Sequence, residues 1–444
     1  MNNEAIFTIS IFLVTVVLII WRPFRINEAL PASISAVLLL IAGVVPLLDL
    51  HRLVGTVGGA AITILSTIVM SIVLESIGFF RWAAYHLVLK SNGSGTRLFW
   101  YINLLCFVMT MFFNNDGSIL ITTPIIIYTL NLLKLDNMQK MPFLLSGALI
   151  ATSSSAPIGV SNLANLVSLK IVGLDLLTYT TLIFIPAMLG IITIALLLYF
   201  ILRGNIPERI GIHSLGQLHS PLASKTAALR PDYSVFLLCI SIVCLSRISI
   251  FVLSPFGIPP EFPSIVGAVL LVAVRYYVTG IGPADVIRKT QWSILVFAFS
   301  MYVLVYSLMN IGLIPFINDA LRELLTSSSL HAIFVMGSLM TVMSNLLNNL
   351  PSIMLATLSL TQLQLEQSTL QLAYLAGVIG ADIGSLILPV GTLASLMWMF
   401  ILRQHNIPIT WGHYVRITLI VIPIGLLVSL TSLYLWSQLL FRFQ

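Results

Sequence analysis

Long apolar stretches separated by short polar segments run through almost the whole chain. Most of them approach the about 20 residues that a helix needs to cross the hydrocarbon core of a bilayer. Their approximate bounds are 5–21, 30–49, 57–80, 98–133, 142–171, 178–202, 234–253, 263–280, 292–313, 330–363, 370–402 and 414–440. This pattern predicts an all-α polytopic membrane protein.

Two of these stretches, 98–133 and 330–363, are interrupted by polar residues near their middle. The first contains Asn114–Ser118 and the second Asn348–Ser352. A charge at membrane depth costs roughly 2.5–3.5 kcal/mol, and irregular backbone is tolerated there only inside protein or beside a water-filled cavity. Each stretch is therefore predicted to form a re-entrant hairpin whose tip carries the polar residues.

Two further stretches, 142–171 and 370–402, contain helix-breaking residues. The first includes Thr152–Gly159, with a proline at 157, and the second includes Gly380–Gly384 and then Leu388–Thr392. Proline removes a backbone donor and clashes with the preceding turn, and glycine weakens a helix. Both stretches are predicted to be discontinuous helices. Serine and threonine that merely allow close helix packing are the alternative, but four interrupted stretches paired between the halves favour true breaks.

The interruptions recur at a nearly constant spacing. Asn348 follows Asn114 by 234 residues, and Ala381–Ala394 aligns with Ala151–Ala164 at an offset of 230. This spacing predicts a duplicated chain with five spans and one hairpin in each half. Because five is odd, the second half would insert upside down, and the binding site of such transporters lies between the inverted repeats near mid-membrane.

The predicted repeats occupy residues 1–202 and 232–444 and are joined by a cytoplasmic linker at 203–231. With the N-terminus outside, most of the 21 Lys and Arg residues fall on the cytoplasmic side, in agreement with the positive-inside rule. The linker contributes Arg203, Arg209, Lys225 and Arg230. A rival topology counts both hairpins and every other segment as spans and reaches twelve or more. The short hairpin arms and polar tips favour ten.

Composition supports the membrane assignment and excludes several classes of function. The chain is 58% hydrophobic and 8% charged, whereas soluble domains are about 25% charged. Its pI of about 9.3 does not indicate nucleic-acid binding, because the basic residues are scattered singly between apolar segments. The sequence contains no P-loop, no nucleophile–base pair at the repeats and no metal-ligand or disulfide spacing at Cys106, Cys239 or Cys244. We therefore expect no enzyme activity, no cofactor and no metal.

Three carboxylates lie within apolar sequence: Glu75, Asp116 and Asp382. Burial disfavours the charged form of a carboxyl group, so Asp116 at the first hairpin tip and Asp382 in the second broken helix are candidates for proton coupling. Either could instead be a structural cap, since Asp also caps helices well. We interpret Glu75 as a packing or snorkelling residue. Arg247, also in apolar sequence, either snorkels outward or pairs with a carboxylate.

The polar residues of the hairpins and broken helices form one candidate site. Asn and Gln side chains both donate and accept hydrogen bonds, and broken helices add free backbone groups. Such a site would surround a small polar solute or a partly dehydrated cation. The predicted binding residues are Asn114, Asn115, Asp116, Ser118, Thr152, Ser161, Asn162, Asn348, Asn349, Asp382 and Thr392.

Six short motifs resemble, in the same order, those of the arsenical pump membrane protein family, the bacterial arsenite/antimonite permeases of the ion-transporter superfamily. The similarity covers essentially the whole chain. The motifs are Gly78–Phe80 with Trp82-Ala83, Phe113–Gly117 with Thr123-Pro124, Val160–Asn165, Asn348–Pro351, Gly380–Gly384 with Pro389–Ala394, and Trp411–Tyr414.

The resemblance implies a multi-pass protein of the bacterial cell membrane that exports As(OH)₃ and Sb(OH)₃. Export would occur by proton antiport or with a separate soluble arsenite-stimulated ATPase subunit, and the hairpin tips and broken helices would form the site. The chain departs from the family pattern at Arg81, where an acidic residue is usual, at Thr152, where Asp is common, and at Ser385–Ile387, where a Lys is common.

Two other functions compete with metalloid export. Na⁺/H⁺ exchange, or another ion antiport on the same architecture, fits because carboxylate and amide oxygens suit a hard cation. A dicarboxylate carrier fits less well, since Asp116 and Asp382 would repel its substrate. A channel is disfavoured by the paired broken helices, which favour alternating access. The predicted partners are thus arsenite or antimonite, protons and membrane lipid.

Overall fold

A computed structural model describes residues 3–22, 26–211 and 233–441. Over these ranges the chain is helices and loops, and its one β-type pairing is an isolated bridge between Ser94 and Arg209. Most of the predicted linker, from 212 onward, lies outside the described residues. The part that is described, 203–211, begins with a short 3₁₀ turn, Arg203–Asn205, directly after the ninth helix.

The helices follow the predicted apolar stretches. The first half holds α1 Asn3–Trp21, α2 Ala29–Ile41, α3 Asp49–Ser76, α4 Phe79–Lys90, α5 Gly95–Phe112, α6 Asn115–Leu132, α7 Asn137–Ser153, α8 Leu163–Val172 and α9 Leu176–Leu202. The second half holds α10 Tyr233–Leu253, α11 Glu261–Thr279, α12 Ala284–Lys289, α13 Ser293–Asn310, α14 Leu313–Thr326, α15 Ser329–Leu347, α16 Asn349–Gln362, α17 Gln367–Asp382, α18 Leu393–Gln404 and α19 Trp411–Phe441.

Ten helices of the described chain are long and apolar enough to cross a membrane. The number equals the predicted number of spans, but the set differs. It includes α5 and α15, which are the first arms of the predicted hairpins, and it omits α2 and α7. Helix α2 is shorter than the 30–49 stretch because the chain turns at Gly43, where φ is +73°, before Pro46. Its 13 residues extend about 20 Å, less than the hydrocarbon thickness of about 30 Å.

The two broken helices lie at the centre of the protein. In α7 every residue from Lys140 to Ser153 is buried, and in α17 the same holds from Leu372 to Asp382. By contrast, α1, α10 and α11 expose many large apolar side chains, as expected for helices that face lipid. The polar residues of α7 and α17 are therefore shielded from lipid by the surrounding helices.

Contacts between the halves occur in reciprocal pairs. Helix α6 packs against α18, and α16 packs against α8, which exchanges the roles of the two halves. Likewise α2 packs against α13, and α11 packs against α3. Each hairpin therefore lies against the short second part of the opposite broken helix. This arrangement brings the two hairpin tips and the two helix breaks together.

Helices α9 and α19 form the most extensive contact between the halves. Small residues allow their backbones to approach closely. A Cβ atom added to Gly190 would overlap the Ser429 hydroxyl and would lie 2.9 Å from the Gly425 carbonyl oxygen. The same two helices are also joined by a hydrogen bond, in which the Trp436 indole nitrogen donates to the Thr181 carbonyl oxygen at 2.9 Å.

We expect Gly190→Ala to lower the thermal unfolding midpoint of the detergent-solubilised protein. Helix propensity alone favours Ala over Gly by about 1 kcal/mol, but overpacking at the Gly425 backbone costs about 1–3 kcal/mol. Gly58→Ala in α3 is the matched control, because its added Cβ has no atom within 4 Å and should leave the midpoint unchanged or raise it. Equal midpoints for the two variants would contradict the close packing of α9 and α19.

Candidate functional site

The first hairpin turns at Phe113 and Asn114, between α5 and α6. Asn114 is extended (φ −157°, ψ 163°) and precedes α6, and its carbonyl oxygen accepts from the Ser118 backbone N–H at 2.9 Å. Gly117 makes room for the Asn114 side chain, since a Cβ there would lie 2.5 Å from the Asn114 Oδ1. That Oδ1 is buried without a hydrogen-bond partner among the described residues, which leaves the tip with unused polar capacity.

The second hairpin turns at Asn348, between α15 and α16. Asn348 has φ 78° and ψ 156°, a backbone region that is nearly confined to glycine and costs about 1–3 kcal/mol for other residues. Its Nδ2 donates to the Val390 carbonyl oxygen at 3.2 Å. Asn345 adds two more bonds, donating to the Gly384 carbonyl oxygen at 2.9 Å and accepting from the Leu388 backbone N–H at 2.7 Å. The second tip is thereby fixed to the second helix break.

Each broken helix restarts with a side chain that caps the new N-terminus. We call the intervening segments the first crossover (154–162) and the second crossover (383–392). At the end of the first, Asn162 Oδ1 accepts from the Ala164 backbone N–H at 3.0 Å. At the end of the second, Thr392 Oγ1 accepts from the Ser395 backbone N–H at 3.1 Å. These bonds satisfy backbone donors that would otherwise be unpaired in an apolar region.

Asp382, the last residue of α17, is held by two amides of the opposite half. Its Oδ1 accepts from Asn162 Nδ2 and its Oδ2 from Asn165 Nδ2, both at 2.7 Å. All three side chains are buried. We call this arrangement the Asp382 clasp. Since Asn162 caps α8, the carboxylate also lies near a helix N-terminus, where negative charge is favoured.

A cavity lies where the hairpin tips meet the first crossover and α13. Its volume is about 40 Å³, room for a few water molecules or one small solute. Six of the thirteen lining residues carry an amide or a carboxylate, the other seven are apolar, and none of these described residues is basic. The lining consists of Glu28, Asn115, Asp116, Asn162, Leu163, Ala164, Gln291, Ile294, Phe297, Asn349, Leu350, Leu393 and Met397.

Asp116 and Asn349 are polar side chains of this cavity that make no hydrogen bond to a described residue. Among the described residues no hydrogen bond reaches the Asp116 carboxylate or the Asn349 side-chain amide, although Asn349 is only 8% exposed. Asn115 Oδ1 accepts from the Asp116 backbone N–H at 2.7 Å, which leaves the Asn115 amide nitrogen available. The cavity therefore offers a carboxylate and amide groups to a bound solute.

The predicted site residues divide into three groups in the structure. Asn115, Asp116, Asn162 and Asn349 line the cavity. Asn114, Asn348, Ser118 and Asp382 are buried at or beside the hairpin tips and the clasp but are not part of the lining.

The remaining three, Thr152, Ser161 and Thr392, bond elsewhere. Thr152 donates to the Ala148 carbonyl oxygen of its own helix at 3.0 Å, and Ser161 donates to the Met111 carbonyl oxygen at 3.3 Å. Thr392 donates to the Ser395 hydroxyl at 2.9 Å.

Sequence reasoning missed Asn165, Glu28 and Gln291. Asn165 lies three residues after Asn162 and so shares a helix face with it, a signal that was available in the Val160–Asn165 motif. Glu28 and Gln291 lie in polar loops outside the interrupted stretches, where nothing in the local pattern distinguishes them from solvated loop residues.

Arg247 of α10 binds the backbone at the first hairpin tip. Its Nε donates to the Phe112 carbonyl oxygen at 2.7 Å, and one guanidinium nitrogen donates to the Phe113 carbonyl oxygen at 2.6 Å and to Thr67 Oγ1 at 3.1 Å. It therefore neither snorkels outward nor pairs with a carboxylate. A cation at this position also complements the negative end of the α5 dipole.

We expect Asp382→Ala to destabilise the folded protein by about 2–6 kcal/mol, because it leaves two buried amide donors unpaired at about 1–3 kcal/mol each. Asp382→Asn should cost less, since the Asn165 amide can turn to present its oxygen. Thermal unfolding in detergent measures both. Ser385→Ala is the control, because the Ser385 hydroxyl, three residues along the chain, is buried without a partner in the described part of the protein. A loss for Ser385→Ala as large as for Asp382→Ala would refute the clasp.

Replacing Arg247 by Met should loosen the first hairpin tip. The Phe112 and Phe113 carbonyls would lose charged donors, each bond contributing about 1.5–3 kcal/mol, so amide hydrogen exchange in 110–120 should rise about tenfold or more. Arg247→Lys, which keeps the charge but not the fork, should show an intermediate rate. The second hairpin, 343–353, is the internal control. Uniform acceleration of both hairpins would mean that Arg247 acts on global stability instead.

Comparison with known proteins identifies the chain. The family profile described as "ArsB: Arsenical pump membrane protein" matches residues 7–437. A "Putative arsenical pump membrane protein" of Bacillus subtilis (strain 168) is 46% identical over 438 residues, which cover 97% of this chain and 99% of the relative. An "Arsenical pump membrane protein" of Escherichia coli is 34% identical over 428 residues, covering 96% and 97%. The chain therefore belongs to the arsenical pump membrane protein family and is a multi-pass protein of the bacterial cell membrane.

Proposed function

We propose that this protein exports arsenite and antimonite as their neutral trihydroxides, in exchange for protons. The observation that carries the proposal is the chemistry of the cavity lining, which offers Asn115, Asn349 and Asp116 without a basic side chain among the described lining residues. A small neutral polyol can be satisfied by amide donors and acceptors, whereas an oxyanion would lack a positive partner.

Family membership supports an arsenical as the cargo, and the reciprocal helix contacts support the transport mode. Contacts such as α6 with α18 and α16 with α8 are those expected of two halves related by a two-fold axis. With five spans and one hairpin in each half, that axis would lie in the membrane plane. Inverted repeats of this kind place the substrate at their interface and expose it to each side in turn.

The two site carboxylates have different surroundings, which favours different roles. Asp116 has no hydrogen-bond donor among the described residues, so its ionised form is poorly compensated and it is the better candidate for carrying the coupling proton. Asp382 receives two amide hydrogen bonds, which stabilise its ionised form. Its coupling role is thus secondary to its function in joining the two halves.

Cation exchange is the alternative, and the carboxylates of the cavity favour it. Glu28 and Asp116 line the same cavity as several amide oxygens, and such oxygens are the ligands that hard cations prefer. A Na⁺/H⁺ antiporter would use the same hairpin tips without a metalloid cargo. A soluble ATPase subunit could also drive metalloid export in place of the proton gradient.

Arsenite uptake into everted membrane vesicles distinguishes these possibilities. We expect uptake that depends on an imposed pH gradient and is abolished by an uncoupler. Asp116→Asn should abolish this gradient-driven uptake because its amide cannot exchange a proton, yet it should retain arsenite counterflow because the cavity keeps its size and its amides. Glu75→Gln, which neutralises a carboxylate outside the cavity, serves as the control and should behave as the wild type does.

Other results would change the coupling residue, the cargo or the energy source that we assign to the protein. Unchanged gradient-driven uptake in Asp116→Asn would remove Asp116 from the coupling step. Absence of arsenite uptake, in vesicles that show Na⁺-dependent proton movement, would move the protein to cation exchange. Uptake that needs ATP and a soluble partner, and ignores the pH gradient, would exclude proton antiport.

A further inference from the structure

A second carboxylate, Glu28, lines the cavity together with Asp116. Glu28 immediately precedes α2, and its side chain is 16% exposed. Its Oε2 accepts from an Arg22 guanidinium nitrogen at 2.7 Å. Because Glu28 and Asp116 line the same cavity, the start of α2 lies beside the first hairpin tip.

Few charged groups surround this pair of carboxylates. The helices packed against α2 are α1 and α13. Helix α13 carries no charged residue, and the charged residue of α1, Glu4, lies at its opposite end. Within the described ranges, the charged side chains that act electrostatically on Asp116 are Glu28, Arg22 and Asp382. Since Asp382 is occupied in the clasp, Arg22 is the one cation among the described residues that acts on the two carboxylates Glu28 and Asp116.

Arg22 itself shows signs of being held in place for this contact. Its backbone has φ +47°, a left-handed conformation that costs a non-glycine residue about 1–2 kcal/mol. Its Nε is buried without a partner among the described residues, so the guanidinium has donor capacity beyond its bond to Glu28. Asp116, in the same region, has acceptor capacity that no described residue uses.

We propose that Arg22 is a counter-charge shared between Glu28 and Asp116, and that Glu28 is thereby an acidic residue of the transport site. The proposal rests on the function proposed above, in which Asp116 carries the coupling proton. While Asp116 is protonated, Arg22 pairs with Glu28, as in this structure. When the Asp116 O–H bond breaks and the proton leaves to cavity water, the new carboxylate attracts Arg22, which balances the charge of both acids.

Neutralising either partner should move the pH dependence in opposite directions. In Arg22→Gln the two carboxylates face each other without a cation, so the pair holds a proton to higher pH, and the pH of half-maximal arsenite flux should rise by about one unit. In Glu28→Gln the freed Arg22 pairs with Asp116 and keeps it ionised, so that pH should fall by about one unit. The double variant, which removes both charges, should return to the wild-type value.

A second readout needs no cargo. The thermal unfolding midpoint of the purified protein is measured from pH 5 to pH 8 in detergent. A proton held more tightly in the folded state than in the unfolded state gives stability that is lost as pH rises. Arg22→Gln should therefore lose more stability than the wild type over this range, and Glu28→Gln should lose less. Arg22→Lys keeps the charge and should follow the wild type. This variant distinguishes the effect of losing the charge from the effect of changing the side chain.

The two readouts separate this proposal from the function on which it rests. If the wild type moves no arsenite but the thermal profiles diverge in the stated directions, the shared counter-charge stands and the cargo is wrong. If the thermal profiles of Arg22→Gln and Glu28→Gln run parallel to the wild type, the shared counter-charge is overturned, whether or not arsenite is transported. Shifts of both variants in the same direction would also overturn it.

Discussion

The structure depends on one constraint: a helix broken inside a membrane frees backbone groups that water cannot satisfy. At each break these backbone groups are bonded by a side chain, either from another helix or from the residue that caps the new helix. Arg247 binds the carbonyls that end α5, Asn345 binds both a donor and an acceptor of the second crossover, and Asn162 caps α8. The polar residues and the irregular backbone are therefore mutually dependent, since neither would be tolerated at this depth without the other.

The two halves differ in the side chains that they place at corresponding positions of the broken helices. At the repeat offset of 230 residues, Thr152, Thr392 and Ser395 correspond to Asp382, Asn162 and Asn165. One set forms a clasp of a carboxylate and two amides across the halves, while the other consists of hydroxyls. Thr152 bonds to its own helix and Thr392 to Ser395, so no mirror clasp forms. At the two positions related by this offset, the chain therefore carries a carboxylate in one half and a hydroxyl in the other.

The helix breaks could be predicted from the sequence because polar residues at membrane depth are costly and therefore rare away from binding sites and breaks. Of the predicted site residues, Asn115, Asp116, Asn162 and Asn349 line the cavity. The sequence could not place Thr152, because a threonine inside a helix can satisfy itself on a carbonyl one turn back. The partners of Arg247 could not be predicted either, because they are backbone carbonyl groups, which every residue type has. Glu28 was missed because it lies in a polar loop outside the interrupted stretches, and only the folded chain brings it to the cavity that Asp116 lines.

Asp382 and Asp116 have the same side chain but differ in the groups that surround it. Asp382 is enclosed by donors from the opposite half, so protonating it would weaken hydrogen bonds that hold the halves together. Asp116 has no described donor and faces a cavity, so a change in its charge alters the solute environment without breaking a bond between the halves. Under the proton antiport proposed above, this separation would let Asp116 exchange protons while Asp382 keeps its hydrogen bonds between the halves.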